Sequence, residues 1–169
     1  TSAGFFVTGR CVDCEPNAVF VVRLDPDGDV DPSFADDGWA IFSADPGENH
    51  STIDITVDEA GRPLIAGSLS SAAHDMFIVR LTAGGSFDTT FGGGDGIAFV
   101  DNLPVTYPND VKIDPVSGRI LIAGGSSIVA RTSTGAPDSG FGFGGALNLD
   151  LEEGTFLTKL IVQSDRKVV

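Results

Sequence analysis

An internal repeat is the feature that most restricts the fold of this chain, because tandem copies of one unit must pack against each other. A short apolar run ending in arginine occurs three times, and the arginine advances along the chain by 57 and then by 51 residues. After each arginine, a turn leads into an Asp-x-x-Phe element. The arginine, aspartate and phenylalanine of the three copies are Arg23, Asp31 and Phe34; Arg80, Asp88 and Phe91; and Arg131, Asp138 and Phe141.

A second recurring element reads Gly-Arg-x-Leu-Ile-Ala-Gly at residues 61–67 and 118–124, with a counterpart at 4–9. Between these anchors lie further strand-like runs, such as 38–42 and the alternating run 52–57. The pattern therefore predicts four short strands in each repeat and almost no helix. Because one small sheet cannot bury both of its faces alone, we expect an all-β fold of stacked blades, a β-propeller.

The phase of the repeats predicts the organisation of the chain. We expect residues 1–169 to be a single β-propeller segment, with the end of one unit at about 1–18, units at 19–75 and 76–127, and an incomplete unit at 128–169. About three four-stranded blades would then be present, whereas propellers usually contain about four to eight. We expect the segment to be part of a larger propeller, or to be completed by a second chain.

The combined pattern resembles the delta-60 repeat family of bacterial, often surface or secreted, proteins. The shared motif is R-L-x-x-x-G-x-x-D-x-S/T-F-G, followed by an apolar strand and D-x-x-G-R-x-L-I-A-G, and it covers nearly the whole chain as about three units. The resemblance implies β-propeller blades and a secreted or cell-surface location, and it says little about activity. The chain departs from the motif at Ala35, where glycine would follow Phe34, and at residues 132–138, where the third turn is one residue shorter.

The charge of the chain limits its partners. The formal net charge is −14, with 24 acidic and 10 basic residues. Nucleic-acid binding requires a cationic surface that this protein lacks, and the same charge repels anionic lipid headgroups. No apolar run approaches the length of a membrane span. We expect an acidic protein without nucleic-acid partners or membrane insertion, whose partners are proteins, glycans, further copies of itself or the remaining blades of a longer chain.

Four carboxylates lie on alternate residues of the first turn, at Asp25, Asp27, Asp29 and Asp31. Calcium prefers several such oxygens on a tight loop, so one calcium site here is an alternative prediction. The aligned turns at residues 82–88 and 132–138 keep only the last acid. We therefore interpret the recurrent aspartates as turn residues that accept backbone N–H groups, and we expect no other cofactor.

Each repeated arginine lies seven or eight residues before its aspartate. A strand followed by a tight turn folds back over that distance, which predicts an Arg–Asp pair in every repeat with a structural role. The three phenylalanines are predicted to pack between blades.

The two cysteines form a Cys11-x-x-Cys14 motif in a loop between two apolar runs. This context favours a local disulfide or inert thiols over a redox pair or half of a zinc site. A disulfide would imply an exported protein. His50 and His74 lie in polar contexts away from any nucleophile motif, and we expect both at the surface.

Two function classes remain. The sequence favours a non-catalytic secreted or cell-surface β-propeller that acts as a scaffold or as a protein or glycan interaction module. The alternative is a propeller enzyme that acts on carbohydrate through a carboxylate pair near the central channel, although no pair of acids is distinguished by its sequence context. We expect no catalytic residue.

Overall fold

The computed structural model describes residues 4–11, 13–14, 18–45, 49–69, 76–101, 108–152 and 154–163. Within these ranges the secondary structure consists of strands and turns without any helix. It follows that no helix in the described ranges could span a membrane. The all-β prediction is confirmed.

Eleven strands are present in the described residues, and most are four to eight residues long. They are β1 (Phe5–Cys11), β2 (Ala18–Leu24), β3 (Trp39–Phe42), β4 (His50–Val57), β5 (Pro63–Leu69), β6 (Met76–Arg80), β7 (Ile97–Val100), β8 (Pro108–Ile113), β9 (Ile120–Gly124), β10 (Ser127–Arg131) and β11 (Ala146–Asn148).

The strands form three antiparallel sheets in which neighbours in sequence are neighbours in space. The first sheet is β1-β2-β3, the second is β4-β5-β6-β7 and the third is β8-β9-β10-β11. These sheets are β-propeller blades, called here the first, second and third blade, and the prediction of four strands per unit holds for the second and third. The sequence repeats are offset from the blades, because the boundary predicted at 75 and 76 falls between β5 and β6 of one sheet.

The second blade is buried on both faces, since the blades stack. Side chains alternate between the two faces of a strand. Ile65 and Val79 therefore pack towards the first blade, whereas Leu64 and Ile78 pack towards the third. This two-sided burial explains why β5 and β6 are runs of consecutive apolar residues instead of alternating ones.

The repeated phenylalanines lie at the seams between blades. Phe34 and Phe91 are fully buried, each in the apolar cluster that joins its own blade to the next one. Phe141, the third member, is only partly buried and borders a smaller cluster that includes Leu121 and Leu160. The outward face of the third blade is thus only partly covered, and part of the cover comes from residues 154–163.

Candidate functional site

The recurrent arginine and aspartate form a side-chain pair in the first two blades. Arg23 Nε donates to Asp31 Oδ2 at 2.9 Å, and Arg80 Nε donates to Asp88 Oδ2 at 2.8 Å. The other carboxylate oxygen closes the turn locally, because Oδ1 of Asp88 accepts the backbone N–H of Thr90 at 2.9 Å. The tight turn after the strand brings the two charges together over eight residues, as the sequence predicted for these blades.

Each of these arginines also reaches the following blade. Arg23 Nη1 donates to the carbonyl of Ala83 at 2.9 Å, and Arg80 Nη1 donates to the carbonyl of Ser133 at 2.5 Å. The same guanidinium groups lie over Phe34 and Phe91, at 5.3 and 4.6 Å from the ring centres. One arginine side chain therefore contacts the turn, the phenylalanine between the blades and the next blade. We call this arrangement the seam clip.

Backbone hydrogen bonds complete the seam clip. The N–H of Ala35, the residue after Phe34, donates to the carbonyl of Gly84 at 2.8 Å. At the next seam the N–H of Gly92 donates to the carbonyl of Thr134 at 3.0 Å. Ala35 has a φ of 51°, so this departure from the glycine pattern is accommodated in the left-handed region at some cost in strain.

The electrostatics of the clip differ between the first and second blades because their burial differs. Burial alone would raise the pKa of Asp88, but hydrogen bonds from Thr90 and the ion pair with Arg80 lower it to about 2. Hydrogen bonds from Ser33, together with Arg23, hold the pKa of the more exposed Asp31 below its usual range. Burial lowers the pKa of Arg80. Both carboxylates are ionised at neutral pH and serve as fixed anions.

The third blade corrects the sequence prediction, because Arg131 does not pair with Asp138. The N–H of Asp88 donates to the carbonyl of Arg80, but the N–H of Asp138 donates to the carbonyl of Ala130. Arg131 instead bridges to Pro137, as Leu81 bridges to Phe87 in the second blade. The turns at residues 82–88 and 132–138 have the same length and the same backbone hydrogen bonds, so the expectation of a shorter third turn is wrong. The arginine itself stands one position later in the strand, and its side chain therefore points to the opposite face of the sheet.

Arg131 is consequently buried in a place that leucine occupies in the other blades. Its side chain is 5% exposed, and its Nε has no hydrogen-bond partner among the described residues. Burial lowers the pKa of Arg131, and the negative charge of Asp101 partly offsets that effect. A small cavity of about 110 Å³ lies beside it and is also lined by Asp101 and Gly144.

In the third blade, Arg119 is the arginine that pairs with the aspartate of the turn. Its Nε donates to Asp138 Oδ2 at 2.6 Å, and its guanidinium lies 5.6 Å from the ring centre of Phe141. The hydrogen bond from Arg119 holds the pKa of Asp138 below its usual range. The equivalent arginine of the second blade, Arg62, also contacts Asp88, at 3.0 Å. The recurring Gly-Arg anchor was the signal in the sequence that could have identified this second source of positive charge.

A second charged cluster was missed by sequence reasoning. The first strands of the second and third blades, β4 and β8, lie side by side, as strands nearest a propeller axis do. Each strand has a bulge just before an aspartate, Asp54 or Asp110, and the carboxylate faces the next segment of chain. Asp54 accepts the N–H of Val111 at 3.0 Å, and Asp110 accepts the N–H of Leu160 at 2.7 Å. The 56-residue spacing of the aspartates was the available signal.

Two lysines neutralise these aspartates, and the four residues together are called the inner-strand cluster. Lys112 Nζ lies 3.0 Å from Asp54 and 2.6 Å from Asp110, and Lys159 Nζ lies 3.1 Å from Asp110. Burial alone would raise the pKa of Asp110, but the N–H of Leu160 and the ammonium groups of both lysines donate to its carboxylate and lower the pKa to about 2. Burial would lower the pKa of Lys112, but its bonds to the two carboxylates raise it. The inner-strand cluster therefore stabilises the ionised forms of Asp110 and Lys112.

The acidic first turn uses two of its four carboxylates within the turn. Asp25 Oδ1 accepts the N–H groups of Asp27 and Asp29, at 2.9 and 3.0 Å, and Asp31 is held by Arg23 and Ser33. Across the described part of the chain, no three His, Cys, Asp or Glu side chains are grouped so that they could hold a metal ion. Calcium binding at Asp25, Asp27, Asp29 and Asp31 stays a prediction that only a titration can test.

The cysteines and one histidine are placed clearly. Cys11 and Cys14 are joined by a disulfide. His50 is fully buried, which corrects the expectation of a surface residue. Its Nε2 accepts the N–H of Asp45 at 3.0 Å, and its ring packs edge-to-face against Phe77 at 5.7 Å. His50 begins β4 and is held by these two contacts, so its polar sequence context was misleading. His74 lies outside the described residues.

The family comparison supports the fold. A family described as a domain of unknown function (DUF5122) beta-propeller matches residues 15–34 and 61–91. These two segments contain the repeated arginine, aspartate and phenylalanine of the first and second blades. No curated protein matches the chain. Together with the three antiparallel blades, the match identifies the chain as a β-propeller-type repeat protein.

Proposed function

We propose that this chain is a non-catalytic β-propeller module whose rigid blades present a recognition surface, and that it acts as a scaffold for protein or glycan partners. The repeated motif favours the delta-60 type of blade within the wider propeller class. The proposal includes a secreted or cell-surface location. The Cys11–Cys14 disulfide supports that location, because disulfides persist in oxidising compartments.

The observation that carries the non-catalytic assignment is the state of Asp110 in the inner-strand cluster. A glycosidase needs one carboxylic acid whose pKa is raised so that it can protonate the leaving group. Asp110 is fully buried, and its carboxylate accepts the N–H of Leu160 at 2.7 Å and contacts Lys112 and Lys159 at 2.6 and 3.1 Å. Burial alone would raise the pKa of Asp110, but these contacts lower it to about 2. Its chemistry is that of a structural anion, which supports a module that binds without turnover.

The recognition surface that we favour is a groove between the second and third blades. Its volume is about 580 Å³, within the range of small-ligand sites. Thr89, Asp95 and Thr134 line the groove, together with the glycine-rich loop at residues 92–94. The lining combines hydroxyl groups, exposed backbone and one carboxylate with the apolar side chains of Ile97, Ala98 and Phe99. Such a mixture suits a neutral polyhydroxylated ligand such as a glycan, which has both hydroxyl groups and apolar ring faces.

A glycan array tests this proposal with a matched pair of variants. Thr89 is exposed in the groove, and Ser139 is the exposed residue at the equivalent position of the third blade, outside the groove. The proposal predicts that the wild type retains a subset of neutral oligosaccharides, that Thr89→Arg abolishes retention because its longer side chain fills the groove, and that Ser139→Arg retains them. Retention that is absent, or equally sensitive to both variants, contradicts the assignment of the groove.

A set of chromogenic aryl glycosides tests the catalytic alternative. The proposal predicts no release of the aryl group above the uncatalysed rate. Hydrolysis by the wild type that disappears in Asp54→Asn or Asp110→Asn, while both variants stay folded, would show that the inner-strand cluster is catalytic and would overturn the proposal.

A further inference from the structure

Apolar side chains fill the seam between the first and second blades beside the bridge that joins Leu81 to Phe87. Leu81 is 1% exposed and belongs, with Phe42, to the apolar cluster of this seam. The ring of Phe87 packs edge-to-face on Phe42, with 5.4 Å between the ring centres. This part of the first seam is therefore a close-packed apolar contact, whose role is to hold the two blades together.

The seam between the second and third blades has smaller or charged residues at the same positions. Equivalent strands end there, and equivalent bridges follow them. The replacements are Val100 for Phe42, Arg131 for Leu81 and Pro137 for Phe87. Two aromatic rings are thus replaced by smaller side chains, which explains why the cavity of about 110 Å³ lies here, beside Arg131. The cavity belongs to an internal seam, with walls from the second and third blades.

The cavity carries two opposite charges that the first seam lacks at these positions. Arg131 is 5% exposed, and its Nε has no hydrogen-bond partner among the described residues. Asp101 directly follows β7, is exposed and lines the same cavity. The residue that follows β3 is the uncharged Ser43, so the aspartate, like the arginine, is specific to the second seam. Burial lowers the pKa of Arg131 and the charge of Asp101 raises it, as expected for two groups that lie close together.

The Nε–H of Arg131 needs an acceptor, because a buried donor of a charged group is costly when it is unpaired. An anionic oxygen is the strongest acceptor for a guanidinium. An apolar cavity of about 150 Å³ accommodates benzene, so a cavity of 110 Å³ has room for a molecule of about five non-hydrogen atoms. The space therefore suits a small molecule that brings an anionic group to the buried arginine.

We propose that this cavity binds a small zwitterion, an α-amino acid of the size of glycine. The carboxylate of the ligand accepts hydrogen bonds from the buried Arg131 guanidinium, and its ammonium group lies towards Asp101 at the exposed end. Asp101 would repel a lone anion and Arg131 a lone cation, whereas a molecule with both charges matches both groups. The cavity and the groove share none of their described lining residues, so this site is independent of the ligand that the groove binds.

Solution NMR of the isotope-labelled chain tests the site with glycine, acetate and methylammonium as probes. The resonances to follow are the Nε–H of Arg131 and the backbone N–H groups of Gly144 and Gly145, which line the cavity. The proposal predicts saturable shifts with glycine. Acetate and methylammonium each carry only one of the two charges and are expected to bind at least about tenfold more weakly. The absence of a saturable shift with glycine, or acetate binding as tight as that of glycine, overturns the proposal.

Asp101→Asn tests the negative end of the site, and Asp150→Asn is its matched control. Both residues are exposed aspartates close after the last strand of a blade, but only Asp101 lines the cavity. The proposal predicts that Asp101→Asn binds glycine at least about tenfold more weakly and no longer prefers glycine to acetate. Asp150→Asn is expected to bind as the wild type does. An unchanged preference for glycine in Asp101→Asn overturns the proposal, because a merely structural role would not set that preference.

Two further variants test the positive end of the site and the space itself. Arg131→Leu introduces the leucine of the other blades and removes the cation. Pro137→Phe introduces the ring that Phe87 provides at the first seam, which fills the cavity and leaves both charges in place. Folded chains of both variants are expected to show no saturable shift of Gly144 and Gly145 with glycine. Glycine binding of wild-type affinity in either variant overturns the proposal.

Discussion

The second and third blades use different arginines to pair with the aspartate of the turn. In the second blade, Arg80 from the strand before the turn pairs with Asp88 and is 4% exposed. In the third blade, Arg119 from the preceding anchor pairs with Asp138, and Arg131 is buried on the other face of the sheet. The comparison shows that the position of the aspartate and the ring is preserved, while the source of the positive charge is exchangeable.

A shift of the arginine by one position along the strand accounts for the difference, because the two turns have the same length. Because side chains of a strand alternate between faces, a shift of one position places the arginine on the opposite face of the sheet. Ala130 then stands where Arg80 stands in the second blade, and Arg131 stands where Leu81 stands. The backbone of the turn is the same in the two blades, and the position of the arginine on the preceding strand is what differs.

The largest expected difference between the two blades is the cost of removing the aspartate. Asp88→Asn leaves Arg80 buried without its anion, which we expect to lower the free energy of unfolding by about 3 to 5 kcal/mol. Asp138→Asn removes a partner of the more exposed Arg119, and we expect a loss of about 1 kcal/mol. Urea denaturation of both variants measures the two values. Equal losses would mean that burial of the arginine does not distinguish the blades.

The dependence of stability on acid pH tests how strongly the second blade relies on its buried aspartate. The pKa of Asp88 is lowered from 3.8 to about 2 in the folded state. Its stabilising contribution, about 2 kcal/mol, is therefore fully present above about pH 4 and is lost as the pH falls through about 2. Thermal melts between these pH values should show a shallower decline in Asp88→Asn than in the wild type. An identical decline in both would contradict the lowered pKa.

Replacing the displaced arginine should have a smaller effect of opposite sign. Leucine occupies the equivalent position in the other blades, so Arg131→Leu removes a buried charge and restores an apolar contact. We expect the free energy of unfolding to rise by about 1 kcal/mol, as replacements of buried ionic groups by apolar ones can do. Arg80→Leu is the control and should be strongly destabilising. Comparable losses in the two leucine variants would show that Arg131 has a partner as strong as Asp88.

The smallest expected effect concerns the turn of the first blade. Asp25 and Asp31 already accept hydrogen bonds from the turn and from Arg23, which leaves few carboxylate oxygens free to converge on an ion. We expect the melting midpoint to stay unchanged in excess calcium, since an ion that binds the folded state would raise it. A rise that is lost in Asp27→Asn would instead demonstrate a calcium site.

The sequence was sufficient for the architecture. The period of the Arg, Asp and Phe elements predicted stacked sheets, and the alternating run at residues 52–57 became β4 (His50–Val57). The sequence was insufficient to predict the partner of Arg131, because a difference of one residue decides which face of the sheet its side chain occupies. The spacing from Arg131 to Asp138 is seven residues instead of eight, and sequence similarity alone aligned an arginine that the strand geometry places on the other face.

The inner-strand cluster and His50 were missed for a related reason. Asp54 and Asp110 recur at equivalent positions, but the bulges that turn their carboxylates towards the next blade depend on the pairing of β4 and β8 within their sheets. His50 is buried against the backbone of Asp45 and the ring of Phe77, contacts that the sequence does not specify. Contacts that depend on tertiary placement are difficult to predict from a single sequence, even when the repeat that produces them is clear.

A pair of double-mutant cycles at Asp138 tests the central comparison most directly. One cycle combines Asp138→Asn with Arg119→Ala, and the other combines it with Arg131→Ala; each measures the coupling free energy from urea denaturation. We predict a coupling of about 0.5 to 1 kcal/mol with Arg119 and a value close to zero with Arg131. Strong coupling with Arg131 and none with Arg119 would contradict the exchange of arginines between the blades.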